Sequence, residues 1–328
     1  MTGTDPTAWR PIGDVRVARQ RALLLQRARE FFAQKTILEV DTPCIGEAAV
    51  SDPNIESMHT TLALDPGRNF YLQTSPELHM KRLLADGFPD IFEICKVFRD
   101  AEIGRHHQPE FTLIEWYRLG FDLDAMISET IDFIEALIDP SRIVAGADKL
   151  SYRDAFLRYA GIDPLSAGFD EVAGKLDADP DLKASLKGSV DAALDLMLAT
   201  QIAAQFSADR LTVIFHYPAN QAALARINPI DRSVADRFEV FFGSLELANG
   251  YVELTDAGEQ RQRCEADQEK RRQRGAAIRP VDENFLASLD SGLPACAGVA
   301  VGFDRLLMIE LKTGHLSDTR HFPIETPR

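Results

Sequence analysis

The stretch IFEICKVFRDAEIGRHHQPEFTLIEWYR, residues 91–118, decides the fold of this chain. Residues 91–98 and 111–118 are rich in β-branched and aromatic side chains, which is typical of strands. The charged residues 99–108 between them predict an antiparallel pair joined by a long loop, and loops of that length tend to be functional. Strand alternation places four side chains on one face: Phe111, Leu113, Glu115 and Tyr117. A charged hairpin tip above an ordinary half-buried strand would show the same pattern.

Further strands and helices are predicted on both sides of this pair. Helices are expected over residues 15–34, 76–85, 123–138, 257–275 and 304–312, and strands over residues 37–43, 211–217, 235–242, 251–255 and 297–302. Asp14 and Ser75 are the predicted N-caps of the first two helices, with Pro76 at the first helical position. The pattern predicts an α+β fold, an antiparallel sheet flanked by helices, because it lacks alternating βαβ units.

Length and composition predict one large domain. With 328 residues and 45% hydrophobic content the chain can bury a sizeable core, so residues 1–328 are expected to form a single catalytic domain. Residues 140–206 read as a probable helical insertion within it. No apolar run reaches membrane length, which predicts a cytoplasmic protein without membrane contact. The four cysteines form no CxxC pair and are expected to be reduced, buried thiols.

The charge balance bears on the partners of the protein. The formal net charge is −15, and an acidic chain is a poor generic binder of RNA, since phosphate neutralisation by Lys and Arg dominates that affinity. A whole-chain count still leaves room for a local basic patch. The chain has no GxGxxG and no GxxxxGK[ST] sequence, which argues against Rossmann and P-loop nucleotide sites.

Acidic residues are concentrated in a second segment, residues 239–253. Glu239 and Glu246 flank a predicted turn, and Asn249, Tyr251 and Glu253 alternate onto one strand face. Carboxylates at such positions are costly to bury without a cation, and a bound ammonium or Mg²⁺ would offset that cost. A solvent-facing acidic strand is the alternative interpretation.

A third segment, GFDR at residues 302–305, precedes the last predicted helix. Arg305 would lie in the first turn of that helix, where free backbone amides favour anions. This sequence alone is weak evidence, because an arginine there could simply pair with Asp or Glu.

Taken together with LEVDTP at residues 38–43, these segments resemble the signature motifs of class II aminoacyl-tRNA synthetases, and specifically the lysyl-tRNA synthetase branch. The resemblance runs from about residue 14 to residue 323. Residues 38–43 are similar to the first motif, residues 98–111 to the second and residues 302–305 to the third. Because the proline of the first motif lies at the dimer interface in that family, the resemblance implies a homodimer.

The resemblance implies that a substrate carboxylate attacks the α-phosphate of ATP, giving an acyl-adenylate and pyrophosphate, with Mg²⁺ present. Arg99 would bridge the α-phosphate and the carboxylate, and Arg305 would hold the γ-phosphate; these are the expected catalytic residues. Further ATP contacts are expected from Glu102, Arg105, His107, Phe111 and Glu246. Glu239 and Glu246 match the family's metal ligands. Since Ala101 stands where the family usually has glutamate, Glu102 is expected to take over the contact to the adenine amino group.

The lysine pocket of the family maps onto six residues here: Glu77, Glu115, Tyr117, Asn249, Tyr251 and Glu253. Glu115 and Glu253 would bracket the ε-ammonium, and Glu77 would receive the amine at the backbone end. Ala300 stands where similar lysyl-tRNA synthetases have glycine. Its methyl group is expected to narrow the pocket and to favour (R)-β-lysine over lysine.

Within that branch, the wording LANGY at residues 247–251 and RHHQPEF at residues 105–111 looks like the elongation factor P lysine ligases. Only about a dozen residues precede the first predicted helix, so no anticodon-binding barrel is expected. The resemblance implies transfer of (R)-β-lysine to a lysine side chain of elongation factor P, without stable tRNA binding. A truncated paralog acting on RNA or another acceptor, and a non-catalytic amino-acid-sensing paralog, are the alternatives. Arg99, Arg305, Glu239 and Glu246 argue against the second.

Overall fold

The computed structural model describes residues 9–324, so both ends of the predicted domain 1–328 lie outside the described residues. The strands are β1 (Leu38–Glu39), β2 (Ile45–Gly46), β3 (His59–Leu62), β4 (Asp65–Leu72), β5 (Ile91–Phe98), β6 (Glu110–Leu119), β7 (Val144–Ser151), β8 (Arg210–Phe215), β9 (Arg237–Phe242), β10 (Leu245–Val252) and β11 (Cys296–Gly302). The α-helices are α1 (Val15–Gln34), α2 (Glu77–Ala85), α3 (Leu123–Leu137), α4 (Tyr152–Tyr159), α5 (Phe169–Lys175), α6 (Pro180–Ser185), α7 (Val190–Met197), α8 (Ala257–Gln273), α9 (Glu283–Gly292) and α10 (Phe303–Leu311).

Eight strands form one large sheet in the order β1-β5-β6-β11-β10-β9-β8-β7. The inner pairs are antiparallel, and only the two edge pairs, β1 with β5 and β7 with β8, are parallel. The predicted antiparallel pair β5–β6 and the predicted α+β class are therefore confirmed. The order brings β6, β11 and β10 side by side although long stretches of chain separate them.

Helices α1 and α3 pack together against one face of this sheet. The Asp14 carboxylate accepts hydrogen bonds from the amides of Arg16 and Val17, which confirms it as the N-cap of α1. The Phe32 ring, which is fully buried, stacks on Phe92 of β5 at 4.1 Å and on Phe133 of α3 at 5.2 Å between centroids. This aromatic cluster joins both helices to the same face of the sheet. The two helices therefore leave the opposite face of the sheet uncovered.

The start of α2 differs from the prediction. Pro76 is the N-cap and no side chain caps the helix, so Ser75 is not the N-cap. Pro76 already has helical dihedral angles, and Ser75 therefore lies one residue before the capping position. The first amides of α2 are left to other partners.

Residues 140–206 are not helical throughout. Residues 144–151 form strand β7, which pairs in parallel with β8 at the edge of the large sheet, where exposed polar side chains conceal its strand character. The following helices α4, α5 and α7 bury their own apolar cluster against β8 and β9, through Ile214 and Phe241. These helices therefore share an apolar core with the β7 edge of the main sheet.

The structure contains two elements that the sequence pattern does not predict, the three-stranded sheet β2-β4-β3 and helix α9. Cys264 and Cys296 are buried free thiols as expected, whereas Cys44 is exposed and Cys95 is half-buried.

Within residues 9–324, no helix combines the length and the apolar character that a membrane crossing requires.

We expect Phe32→Ala to lower the free energy of unfolding by about 3–5 kcal/mol, because the substitution opens a cavity at the joint between α1, α3 and the sheet. The denaturant midpoint measures this change. Leu23→Ala on the same helix, at a side chain that is 37% exposed, is the control and should cost much less. Equal losses for the two variants would show that the Phe32 cluster is not the joint.

Candidate active site

A cavity of about 410 Å³ lies over the face of the sheet that α1 and α3 leave free. Its walls come from β6, β10 and β11, from the start of α2 and from the loop between β5 and β6. The structure brings the following sequence-predicted site residues together around it: Glu77, Arg99, Glu102, His107, Phe111, Glu115, Tyr117, Glu246, Asn249, Tyr251, Glu253, Ala300 and Arg305.

The floor of the cavity is built from two rows of paired strand residues. Ala300 of β11 pairs with Glu115 of β6 on one side and with Asn249 of β10 on the other. In the next row Gly298 lies between Tyr117 and Tyr251. A Cβ atom on Gly298 would lie 2.4 Å from the Tyr117 ring and 2.7 Å from the Glu253 carboxylate. Glycine is therefore required at 298 for these side chains to approach the floor.

Three carboxylates, those of Glu77, Glu115 and Glu253, define what we call the acid end of the cavity. The Tyr117 hydroxyl donates to Oε1 of Glu115 at 2.7 Å, while Oε2 of Glu115 is buried without a hydrogen-bond partner. Behind the other two carboxylates lies Lys81, whose Nζ is 2.6 Å from Glu77 and 2.5 Å from Glu253. Sequence reasoning missed this lysine, although its i,i+4 spacing from Glu77 is a recognisable signal.

Burial changes the protonation of the acid end. It raises the pKa of Glu115 well above its ordinary value, with the Glu77 charge adding to the effect. Burial likewise raises the pKa of Glu253 to about 7, against the opposing effect of Lys81. The raised pKa values favour the neutral form of both carboxylates. A neighbouring ammonium would favour their ionisation, because an opposite charge stabilises the charged form. Oε2 of Glu115 and Oε1 of Glu253 have no hydrogen-bond partner and are free to receive one.

Arginines lie at the opposite end of the cavity. The Arg99 guanidinium packs over the Phe111 ring at 5.1 Å and lies 3.8 Å from Glu102. Arg305 donates to the backbone carbonyl of Glu246 at 2.6 Å. Nη2 of Arg305 also lies 3.1 Å from Nε2 of His107. We call this part of the cavity the arginine end.

Two further residues, His107 and Asp304, adjoin Arg305 at the arginine end. Burial, and then the positive charge of Arg305, lower the pKa of His107, so that its imidazole is neutral near pH 7. The buried Asp304 carboxylate accepts from Arg21 at 2.6 Å and from the Thr112 amide at 2.7 Å, which ties the start of α10 to α1 and β6. Arg305 is held in place by its neighbour in this way.

Two of the predicted site residues do not line the cavity. The exposed Arg105 side chain turns away and donates to the Gly314 carbonyl at 2.8 Å. Glu239 is buried beside the floor, where it pairs with Arg237 at 2.5 Å and accepts from Asn249 at 3.3 Å. Its pKa is raised to about 7 by burial and by the Glu246 charge.

The donor atoms near β9 and β10 limit which metal this site could hold. In the described part of the chain, no three His, Cys, Asp or Glu residues come together as a ready-made metal site. Glu239 and Glu246 offer hard carboxylate oxygens, the ligands that Mg²⁺ prefers, and Mg²⁺ commonly completes its shell with substrate phosphates and water. The two residues therefore fit Mg²⁺ only in company with a bound phosphate.

Comparisons with known proteins agree with this geometry. The family model described as tRNA synthetases class II (D, K and N) matches residues 15–326. The elongation factor P–(R)-β-lysine ligase of Pectobacterium atrosepticum is 43% identical over 98% of this chain and 99% of its own length. The ligases of the same name from Klebsiella pneumoniae and Salmonella typhi are each 42% identical over the same shares. This chain belongs to the class II tRNA synthetase family.

Proposed function

We propose that this chain is an ATP-dependent ligase that activates lysine or (R)-β-lysine as an acyl-adenylate and transfers it to a lysine side chain of elongation factor P. One observation carries the proposal: a single cavity has three carboxylates at one end, two of them buried and that of Glu77 half-buried, and two arginines at the other. A diamino acid has two ammonium groups and one carboxylate, and its charges match that arrangement. The names of the similar ligases support the same reaction.

Activation needs two anions to approach each other. A carboxylate oxygen of the amino acid attacks the α-phosphorus of ATP, and pyrophosphate leaves. Arg99, which lines the same cavity as the acid end and Arg305, would contact both reacting anions with its guanidinium fork. Arg305 would hold the γ-phosphate, with the neutral His107 beside it as a hydrogen-bonding group. Such preorganised charge is usually the largest contribution to catalysis of this kind.

The nucleotide and its metal would occupy the arginine end. Phe111 offers an apolar face for adenine and Glu102 an acceptor for its amino group. Glu246 and Glu239 would supply carboxylate oxygens to Mg²⁺, which neutralises phosphate charge when bound. Glu239 would exchange its Arg237 partner for the metal, while Arg105 would reach a phosphate only after leaving Gly314.

In the second step, the amine of the acceptor lysine attacks the adenylate carbonyl, AMP leaves, and the attacking nitrogen loses a proton. The acidic balance of the chain supports a protein acceptor over transfer RNA.

A homodimer through the first-motif segment also belongs to the proposal. Leu38, the first residue of that segment, and Ile45, just after its end, expose 46% and 43% of their surface, which is an apolar area that a second copy could cover. A cytoplasmic location is proposed with it.

ATP–pyrophosphate exchange tests the first step directly. The purified protein should catalyse exchange with lysine or (R)-β-lysine and not with aspartate or asparagine, because neither of these provides a second ammonium for the acid end. Radiolabelled amino acid should then appear on elongation factor P and not on transfer RNA. Efficient charging of transfer RNA without labelling of elongation factor P would contradict the proposed acceptor.

Arg99→Ala should abolish adenylate formation, since the lost guanidinium serves both reacting anions. A loss of several kcal/mol in the transition state, on the order of 10³-fold or more in kcat/KM, is expected. The matched control is Arg153→Ala on α4, whose ion pair with Asp163 lies far from the cavity. If Arg99→Ala retains near wild-type exchange, Arg99 has no part in the reaction.

Ala300→Gly should shift selectivity toward lysine, because Ala300 separates Glu115 from Asn249 on the cavity floor. One methyl group typically discriminates by roughly 1–3 kcal/mol, so the ratio of kcat/KM values for the two isomers should change by about tenfold. Ala297→Gly, at a fully buried position of the same strand, is the control. An unchanged isomer ratio in Ala300→Gly would mean that this methyl group does not set selectivity.

A further inference from the structure

Lys81 is an uncommon feature of the acid end because it is a fully buried cation that does not touch the cavity. It lies on α2, one helical turn after Glu77, and its Nζ contacts Glu77 at 2.6 Å and Glu253 at 2.5 Å. The Phe285 ring of α9 closes the remaining side, 5.9 Å from the ammonium. Lys81 thus supports from behind two carboxylates whose other sides face the cavity.

The ammonium of Lys81 is charged in this position. Burial alone would lower its pKa, but the Glu253 and Glu77 carboxylates outweigh that effect and raise the pKa above its ordinary value. Glu115 is not one of its contacts and keeps its oxygen Oε2 free. Glu93, the cross-strand neighbour of Glu115, does not line the cavity and accepts from the Thr42 amide at 3.1 Å.

We propose that Lys81 is a specificity-determining positioning residue: when ammonium groups of a substrate lie beside the acid end and all three carboxylates are ionised, Lys81 offsets one of these charges and two remain for the substrate. Three carboxylates less one ammonium leave two, and two is the number of ammonium groups in a diamino acid. The substrate carboxylate stands outside this count because it lies toward Arg99. The inference rests on the proposed function, since it takes the diamino acid as the substrate.

The charge count also explains discrimination against other amino acids. An amino acid with one ammonium would leave one buried carboxylate without a partner, which is costly in a site closed to water. Without Lys81, a diamino acid would leave one carboxylate unpaired in the same way. Lys81 therefore adjusts the charge of the acid end to a substrate with two cationic groups, although Lys81 itself does not touch that substrate.

The test changes the count by substitution and measures KM for the diamino acid and for ATP in pyrophosphate exchange. Glu253→Gln leaves one negative charge, Lys81→Met leaves three, and the double variant Lys81→Met/Glu253→Gln restores two. We expect Glu253→Gln to raise the diamino-acid KM by about tenfold or more, as the loss of a charged contact does. The double variant should return to within about threefold of wild type. The KM for ATP should stay near wild type in both.

Folding does not confuse this comparison. Lys81→Met alone leaves Glu77 and Glu253 without their shared cation and is expected to destabilise the protein, whereas the double variant also removes the buried Glu253 charge and leaves only the less buried Glu77 carboxylate without it. The decisive comparison is therefore the double variant against Glu253→Gln. Lys149→Met/Glu253→Gln, which changes an exposed lysine on β7, is the matched control and should behave like Glu253→Gln.

A selectivity measurement gives a second readout that a purely structural lysine would not move. The ratio of kcat/KM for the diamino acid to that for norleucine should fall in Glu253→Gln and recover in Lys81→Met/Glu253→Gln. A double variant no better than Glu253→Gln in KM and in this ratio would overturn the role of Lys81. Absence of diamino-acid-dependent exchange in the wild type would instead overturn the proposed function.

Discussion

The pairing of β11 with β6 on one side and with β10 on the other holds the active-site residues together. Ala300 is the central residue of a row that begins at Glu115 and ends at Asn249, and the parallel row through Gly298 joins two tyrosines. Strand alternation sends all of these side chains to the face opposite α1 and α3. A slip of one residue in either pairing would turn them into the apolar core, so the core and the site depend on the same register.

Burial of carboxylates in that floor creates a second constraint. Isolated charges in such surroundings are costly, and the structure meets the cost in different ways for different acids. Glu239 pairs with Arg237 and Glu253 with Lys81, while Glu115 has a tyrosine hydroxyl and a free oxygen. Glu239 thus belongs to the framework, whereas Glu115 and Glu253 line the cavity and each keep an oxygen without a hydrogen-bond partner for a ligand.

The arginine end differs from the acidic floor in burial, because its cations are only partly buried. Arg99 and Arg305 are attached to separate elements, the β5–β6 loop and the first turn of α10, and they meet only through the tertiary fold. Arg305 is positioned by the Glu246 carbonyl and by the contacts of the adjacent Asp304. The site therefore joins two partly exposed arginines to a buried acidic floor, an arrangement suited to holding two anions against a bound amino acid.

Much of this was predictable from the sequence alone, because local patterns determine it. Strand alternation placed Glu115 and Tyr117 on one face of their strand and Asn249 and Tyr251 on one face of another, and Asp14 as a helix cap follows from local hydrogen bonding. Non-local contacts decided the rest. Strand β7 exists because β8 offers it an edge. Arg105 turned to Gly314, more than two hundred residues along the chain. Lys81 shows most clearly what the sequence alone does not determine. Its spacing from Glu77 is local, but its contact with Glu253 joins distant segments of the chain. Only the packing of the fold brings one buried ammonium between two carboxylates.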